Sequence, residues 1–200
     1  MSMISYVPLS GPDPTASTQL GTKNYVDTHA VPAKVTSGTT VQNFTDAQGI
    51  VWVAKNGVNT GTWKRATDAL HARWYRSAAF SLTSTAALVT MDTAVNDAYG
   101  LYASGNFTCP VAGMYRVWAQ VGVAVTANNQ WGNAQLFKNA TLMASNSSTG
   151  GTAPVTPVAG DTFLCAASDT ISVQARSSAN LSGSTGTTLT FLVVDYLGTG

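Results

Sequence analysis

The chain has 200 residues, 44% of them hydrophobic, with ten basic and nine acidic side chains for a net charge of +1. That apolar share excludes wholesale disorder, and the length suits one sandwich-sized domain plus something smaller. Charged residues are only 10%, far below the roughly 25% of an ordinary soluble domain. Ser and Thr fill the gap at 46 positions, a surface chemistry suited to β-rich extracellular or virion proteins. There is no basic patch to hold phosphates, so nucleic-acid binding has no electrostatic drive. No run approaches the ~18 apolar residues of a membrane helix, so no membrane insertion is expected. The opening Met1-Ser-Met-Ile-Ser-Tyr6 has neither the charged nor the apolar region of a secretory signal.

Residues 1–33 are expected to form an attachment segment. Pro8, Pro12 and Pro14 block regular ladders. Beyond them Leu20, Tyr25 and Val26 fall on one side of a short helix that Pro32 stops. With Tyr6, these are the candidate attachment residues. So short a helix is marginal alone, and three copies packed together would stabilise it.

Residues 34–72 are expected to form a small β unit. Gly49-Ile-Val-Trp-Val-Ala-Lys55 patterns as a strand, Asn56-Gly57 is a strong hairpin signal, and Thr62-Trp-Lys-Arg65 can pair back. So few residues bury little by themselves, so the unit must lean on a neighbouring domain or on symmetry mates.

Residues 73–200 carry regular strands and turns. Trp74–Leu82 and Ala86–Asp92 are expected as the first two strands. Met114–Val125 follows as a long alternating strand. Its odd positions, Tyr115 to Val125, are apolar enough for a core, while Met114, Arg116, Trp118 and Gln120 line the other face. Ala134–Met143 patterns as a hairpin about Lys138-Asn139, Pro157–Ala166 as a strand, and Thr170–Arg176 as a cleanly alternating one. A polar loop, 177–187, leads into a final strand, Thr188–Leu197. About eight short strands at regular spacing with no helical period predict an all-β sandwich. The final strand is apolar on both faces, whereas a sandwich strand normally shows one side to water. One face is therefore assigned to the core. The other, with Leu192, Val194 and Tyr196, is assigned with Met114, Arg116, Trp118 and Gln120 to a subunit interface. Cys109 and Cys165 stay open between a disulfide joining the sheets and two free thiols used as small apolar residues.

Two stretches resemble known families. Pro14 to His29, with its proline-rich lead and Lys23-Asn-Tyr-Val-Asp27 ending, resembles the linker repeat of bacteriophage tail fibres. The run Gly105-Asn-Phe107-Thr108-Cys109-Pro110-Val-Ala-Gly113-Met-Tyr115 resembles the strand signature of the complement component one q-subunit globular head, whose jelly roll tumour necrosis factor shares. Met91-Asp92, Lys138-Asn139 and Ser168-Asp169-Thr-Ile-Ser-Val-Gln174 match further family motifs in order. Ala140 stands where the hairpin glycine is usual, and Phe191-Leu-Val-Val lacks the family's closing glycine. The resemblance implies a C-terminal jelly-roll head that forms homotrimers, and phages use such heads as fibre tips and surface knobs.

Catalytic chemistry finds little support. Asp92, Asp97, Asp161 and Asp169 fall at expected turns, where Asp caps its own backbone, and a glycosidase needs a clustered acid pair. His29 and His71 have no ligand partner at metal spacing. No nucleophile elbow, phosphate loop or dinucleotide fingerprint occurs. The expectation is thus a non-enzyme with no cofactor and no metal, although the jelly-roll family sometimes holds a calcium ion at loop aspartates. Its N-terminal segment would dock to other virion proteins on the particle surface. The head would either bind a bacterial surface glycan or protein, or serve as a structural decoration of capsid or tail. A secreted complement- or cytokine-like module is the rival class. For ligand contact the candidates are Asn128, Asn129, Gln130 and Trp131, an aromatic for sugar C–H groups beside amides for hydroxyls.

Overall fold

The computed structural model describes residues 41–45, 50–55, 64–97 and 99–199. The attachment segment, with Tyr6, Leu20, Tyr25 and Val26, lies outside them. Three short strands come first, β1 (Val41–Thr45), β2 (Val51–Lys55) and β3 (Lys64–Arg65), paired in that order. The four-residue helix α1 (Ala66–Ala69) leads into β4 (His71–Tyr75). Val51, Val53, Ala66 and Leu70 are buried in one apolar cluster with Ala72 and Trp74 of β4. Asn43 of β1 also donates to the Pro110 carbonyl at 3.1 Å. The small unit thus shares its apolar contacts with the sandwich.

Two antiparallel sheets dominate. The five-stranded sheet runs β14 (Val158–Cys165), β10 (Gly113–Gln120), β17 (Phe191–Gly198), β4, β7 (Thr93–Asn96). The six-stranded sheet runs β13 (Thr141–Gly150), β12 (Gln130–Lys138), β15 (Thr170–Ser177), β9 (Asn106–Thr108), β8 (Tyr102–Ala103), with β6 (Ala87–Leu88) also on β15. A three-stranded sheet, β11 (Gly122–Ala124), β16 (Leu181–Ser184), β5 (Phe80–Leu82), extends the architecture. This is a jelly-roll β-sandwich.

The core forms from inward positions of both large sheets. Tyr115, Val117 and Ala119 of β10 are fully buried, as are Ile171, Val173 and Ala175 of β15 and Ala134 and Leu136 of β12. A run of aromatic contacts crosses it. Trp74 stacks on Tyr102 at 5.0 Å, Phe107 meets Tyr115 at 6.1 Å edge-on, and Tyr115 meets Tyr196 at 5.1 Å. Such offset pairs each add about 0.5–1.5 kcal/mol beyond area burial. The glycine in the motif before Tyr115 has a steric reason. Gly113 has φ 149°, and a Cβ there would come within 2.4 Å of the Gly198 carbonyl oxygen and 2.6 Å of the Tyr196 ring.

Three sequence expectations need correction. Trp74–Leu82 is two strands, because the chain turns a corner at Arg76. There the Arg76 guanidinium donates to the Ala78 and Thr90 carbonyls, and Asp92 accepts from the Ser77 and Ala78 N–H groups. Met114–Val125 is also two strands, β10 and β11, since after Gln120 the chain changes partners from β14 and β17 to β16. The expected loop 177–187 contains β16, whose Leu181 and Gly183 pair with Leu82 and Phe80. A Cβ at Gly183 would sit 2.0 Å from the Phe80 ring, so the missing side chain there is what admits the aromatic.

Candidate functional site: two outward sheet faces

The even-numbered residues of β10 point away from the core, as their alternation predicts, and register decides what stands beside them. Arg116 lies opposite Asp195 of β17 and Thr162 of β14. Trp118 lies opposite Val193 and Gly160, and Gln120 opposite Phe191 and Val158. Beyond β17, Asp195 faces His71 of β4, Val193 faces Arg73, and Phe191 faces Tyr75. Opposed residues in an antiparallel pair share a face. The outward face is therefore a grid of three aligned rows.

This grid corrects half of the interface expectation. Leu192, Val194 and Tyr196 pair with Ala119, Val117 and Tyr115. They belong to the core face, where they are 0%, 1% and 3% exposed. A one-residue offset in parity flips every side chain of a strand, and in a strand this apolar on both sides the one polar marker was Asp195, at the parity of Phe191 and Val193. The residues beside Arg116, Trp118 and Gln120 are instead Asp195, Val193 and Phe191.

The centre of this face is polar and tightly paired. The Asp195 carboxylate is 10% exposed and accepts from Arg116 Nη2 at 2.8 Å and Nε at 3.3 Å on one oxygen. Its other oxygen takes His71 Nδ1. The Arg116 guanidinium also lies 5.3 Å from the Trp118 ring centroid, and Arg73 lies 4.8 Å from that of Phe191. Arg73 donates to the Thr187 carbonyl through Nη2, while its buried Nε has no partner among the described residues. Gln120 donates to the Thr188 and Leu189 carbonyls. At Gly160, opposite the tryptophan, a Cβ would stand 3.0 Å from Trp118 Cβ. Toward the ends the face becomes apolar. Leu164, opposite Met114, is 59% exposed, Leu197 46% and Val158 40%.

The second candidate surface is the tip where β11 passes to β12. Asn128 and Asn129 are exposed there, and Asn129 adopts φ 64°. The Gln130 amide oxygen is committed to the turn itself, accepting from the Thr126 and Ala127 N–H groups at 2.6 and 3.1 Å. Trp131 is half-buried on the outward face of the six-stranded sheet, with the Arg176 guanidinium 5.7 Å from its ring centroid. The nearest amides that share this face along the strands are Asn133 and Gln135, with Gln174 opposite the latter, and sequence reasoning missed them because a polar residue inside a strand looks like ordinary solvent-facing alternation.

Cys109 and Cys165 are free and buried. The neighbouring Cys165 thiol and burial push the Cys109 thiol upward. Among the described residues no three His, Cys or Asp side chains gather as a metal would need, and no helix is long and apolar enough to cross a membrane.

Neither protein-family profiles nor curated protein sequences match this chain. Solved structures do. The globular domain of zebrafish complement 1qA superposes with a TM-score of 0.51 at 12% identity, covering 65% of this chain and 98% of its own. Eiger TNF from S. frugiperda gives 0.50 at 12% identity, over 65% of this chain and 93% of that one. Murine APRIL gives 0.50 at 17%, over 64% and 98%. At these identities the likeness is one of fold.

Proposed function

We propose that the chain is a non-enzymatic, homotrimeric attachment protein of a phage virion, its jelly-roll head carrying host-surface recognition and its N-terminal segment docking to other virion proteins. The observation that carries the trimer is the outward face of the five-stranded sheet. One molecule leaves Leu164, Leu197 and Val158 exposed there around a half-buried Trp118 and a carboxylate already stripped of most of its water. Exposed apolar residues at both ends of a face whose centre holds a desolvated carboxylate are what an assembly interface covers. The resemblance of Gly105–Tyr115 to complement-type heads, which are trimers, points the same way. Support for the virion role comes from the resemblance of Lys23–Asp27 to tail-fibre linkers and from the hydroxyl-rich composition.

Sedimentation equilibrium at micromolar concentration tests the assembly, with a trimer expected and a monomer overturning it. Adsorption tests the role. The purified chain should compete with phage for host cells. Failure to compete, with the trimer intact, would favour a decoration protein. Loss of host polysaccharide on incubation would overturn the non-enzymatic assignment.

A further inference from the structure

Cys109 and Cys165 are the only cysteines of the chain, and both are buried in the same apolar cluster. They belong to opposite sheets of the sandwich. Cys109 continues β9 of the six-stranded sheet, and Cys165 closes β14 of the five-stranded one. A tight turn draws them together. The Asp169 N–H donates to the Ala166 carbonyl at 3.2 Å, and Asp169 Oδ2 accepts from the Ala166 N–H at 2.9 Å. The far side of that turn is tied to Cys109 in both directions. The Cys109 N–H donates to the Asp169 carbonyl and the Ser168 N–H to the Cys109 carbonyl, each at 2.8 Å. Only Ala166 and Ala167 separate Cys165 from Ser168. On β10 the residue opposite Cys165 is Gly113, so no side chain from that strand stands beside its thiol.

The pair is poorly placed for other thiol chemistry. A catalytic thiolate must be partly exposed, and these residues are 0% and 1% exposed. His71, the one histidine among the described residues, is engaged by Asp195 and offers neither thiol a base. No third metal ligand joins them among the described residues. Full burial also keeps both sulfurs from a second copy, so they cannot cross-link protomers. Each thiol has only the other within reach.

We infer that Cys109 and Cys165 are a dithiol that closes into an intramolecular disulfide, a modification that staples the two sheets of the sandwich to each other. The oxidant is a small-molecule disulfide, met while the chain folds or while the 166–169 turn opens. One cysteine thiolate attacks a sulfur of that disulfide and releases its other half as a thiolate. The second cysteine thiolate then attacks the protein sulfur of the mixed disulfide and releases the remaining half. The two protein thiols lose two electrons and form one S–S bond. Their protons pass to the released thiolates, so one small disulfide becomes two small thiols. In a reducing cytosol the pair stays as the dithiol, and in an oxidising medium it closes. The bond lies within one protomer, so the inference goes beyond the trimer and attachment reading and does not depend on it.

The test refolds the full chain from urea in glutathione disulfide, alkylates it under denaturing conditions and measures the intact mass. The mass should be lower than that of the reduced chain by two hydrogens, with no alkyl group and no glutathione added. Non-reducing denaturing gels should show a single-chain band. Closing so long a loop constrains the unfolded chain, so the oxidised protein should melt about 5–10 °C above the same protein kept in dithiothreitol. Cys165→Ala should instead carry one glutathione or one alkyl group and gain no melting temperature from the oxidant. The wild-type mass reads the bond even if that variant folds poorly. Two alkylated cysteines in the wild type, or glutathione retained on either, overturn the pair. A bond that closes but leaves the melting temperature unchanged or lowered overturns the staple, because the folded geometry then does not hold the sulfurs at bonding distance.

Discussion

Arg116 and Asp195 sit opposite each other on the second and central strands of the five-stranded sheet, 2.8 Å apart, at different depths: the arginine side chain is 54% exposed, the carboxylate 10%. The carboxylate is thus the desolvated partner and the guanidinium its lid. With His71 on its second oxygen, Asp195 is a charge that stays satisfied while most of its water is removed, which suits the middle of an interface.

Removing the lid tests this. Arg116→Met keeps the aliphatic stem but leaves Asp195 one donor short. We expect a loss of about 1–2 kcal/mol in urea unfolding, below the cost of breaking a fully buried pair because Arg116 is half in water. Asp195→Asn introduced together with Arg116→Met should recover part of it. An additive double-mutant cycle would show that the pair contributes nothing.

Trp118→Ala separates assembly from folding. Trp118 lies on the outward face between Val193 and Gly160, so its loss opens no hole in the sandwich core. The trimer should dissociate at about thirtyfold higher concentration or more, as for an aromatic anchor worth ~2 kcal/mol or above. The melting temperature of the monomer should move little. Unchanged trimer sedimentation would reduce Trp118 to a surface residue.

The same face shows what one sequence can and cannot disclose. The alternation of β10 was legible because its polar residues, Arg116 and Gln120, fall only at even positions, and the burial of Tyr115, Val117 and Ala119 follows it. The partner residues on β17 were less legible. Its two sides are both largely apolar, and the one charge in the strand, Asp195, shares the parity of Val193, so it was the available signal that Val193 faces out and Val194 faces in, as pairing with β10 shows. The strand β16 escaped notice because Leu181-Ser-Gly-Ser184 has one large apolar residue and a glycine whose partner, Phe80, lies about a hundred positions upstream. At the tip, Gln130 has the right chemistry for a ligand, but its amide oxygen is consumed by its own turn. Asn133 and Arg176, 43 positions apart, meet only through strand pairing.

Acid should find the Arg76 corner first. Burial pushes the Asp92 carboxyl upward, but hydrogen bonds from the Ser77 and Ala78 backbone outweigh it and hold the group at about 2, down from its ordinary 3.8. A carboxyl depressed in the folded state stabilises above its unfolded value and loses that contribution as pH falls through the folded one. Asp169 is also lowered, mainly by the Asn139 side chain, and adds in the same direction. Stability should therefore fall between about pH 4 and pH 2, and Asp92→Asn should flatten the decline over that window while lowering stability near neutrality. Parallel stability–pH curves for the two proteins would refute the role given to Asp92.

The β12–β13 turn offers a gain in stability. Asn139 and Ala140 both adopt left-handed backbone, φ 46° and 66°, as a two-residue type I′ hairpin requires at both central positions. Asn tolerates this and is also held in place. Its Nδ2 donates to Asp169 Oδ1 at 2.6 Å and its Oδ1 accepts from the Thr170 N–H at 2.8 Å, tying this turn to the one before β15. Ala140 has no such compensation, and its Cβ crowds the carbonyl at a cost of roughly 1–2 kcal/mol. Glycine removes that strain and gives back a part through greater freedom of the unfolded chain. Ala140→Gly should therefore raise unfolding stability by about 0.5–1 kcal/mol, read as a higher urea midpoint at unchanged slope. Asn139→Gly should move the midpoint the other way, because it deletes the two bonds that couple the turns. A midpoint lowered by Ala140→Gly would mean that the turn carries no relievable strain.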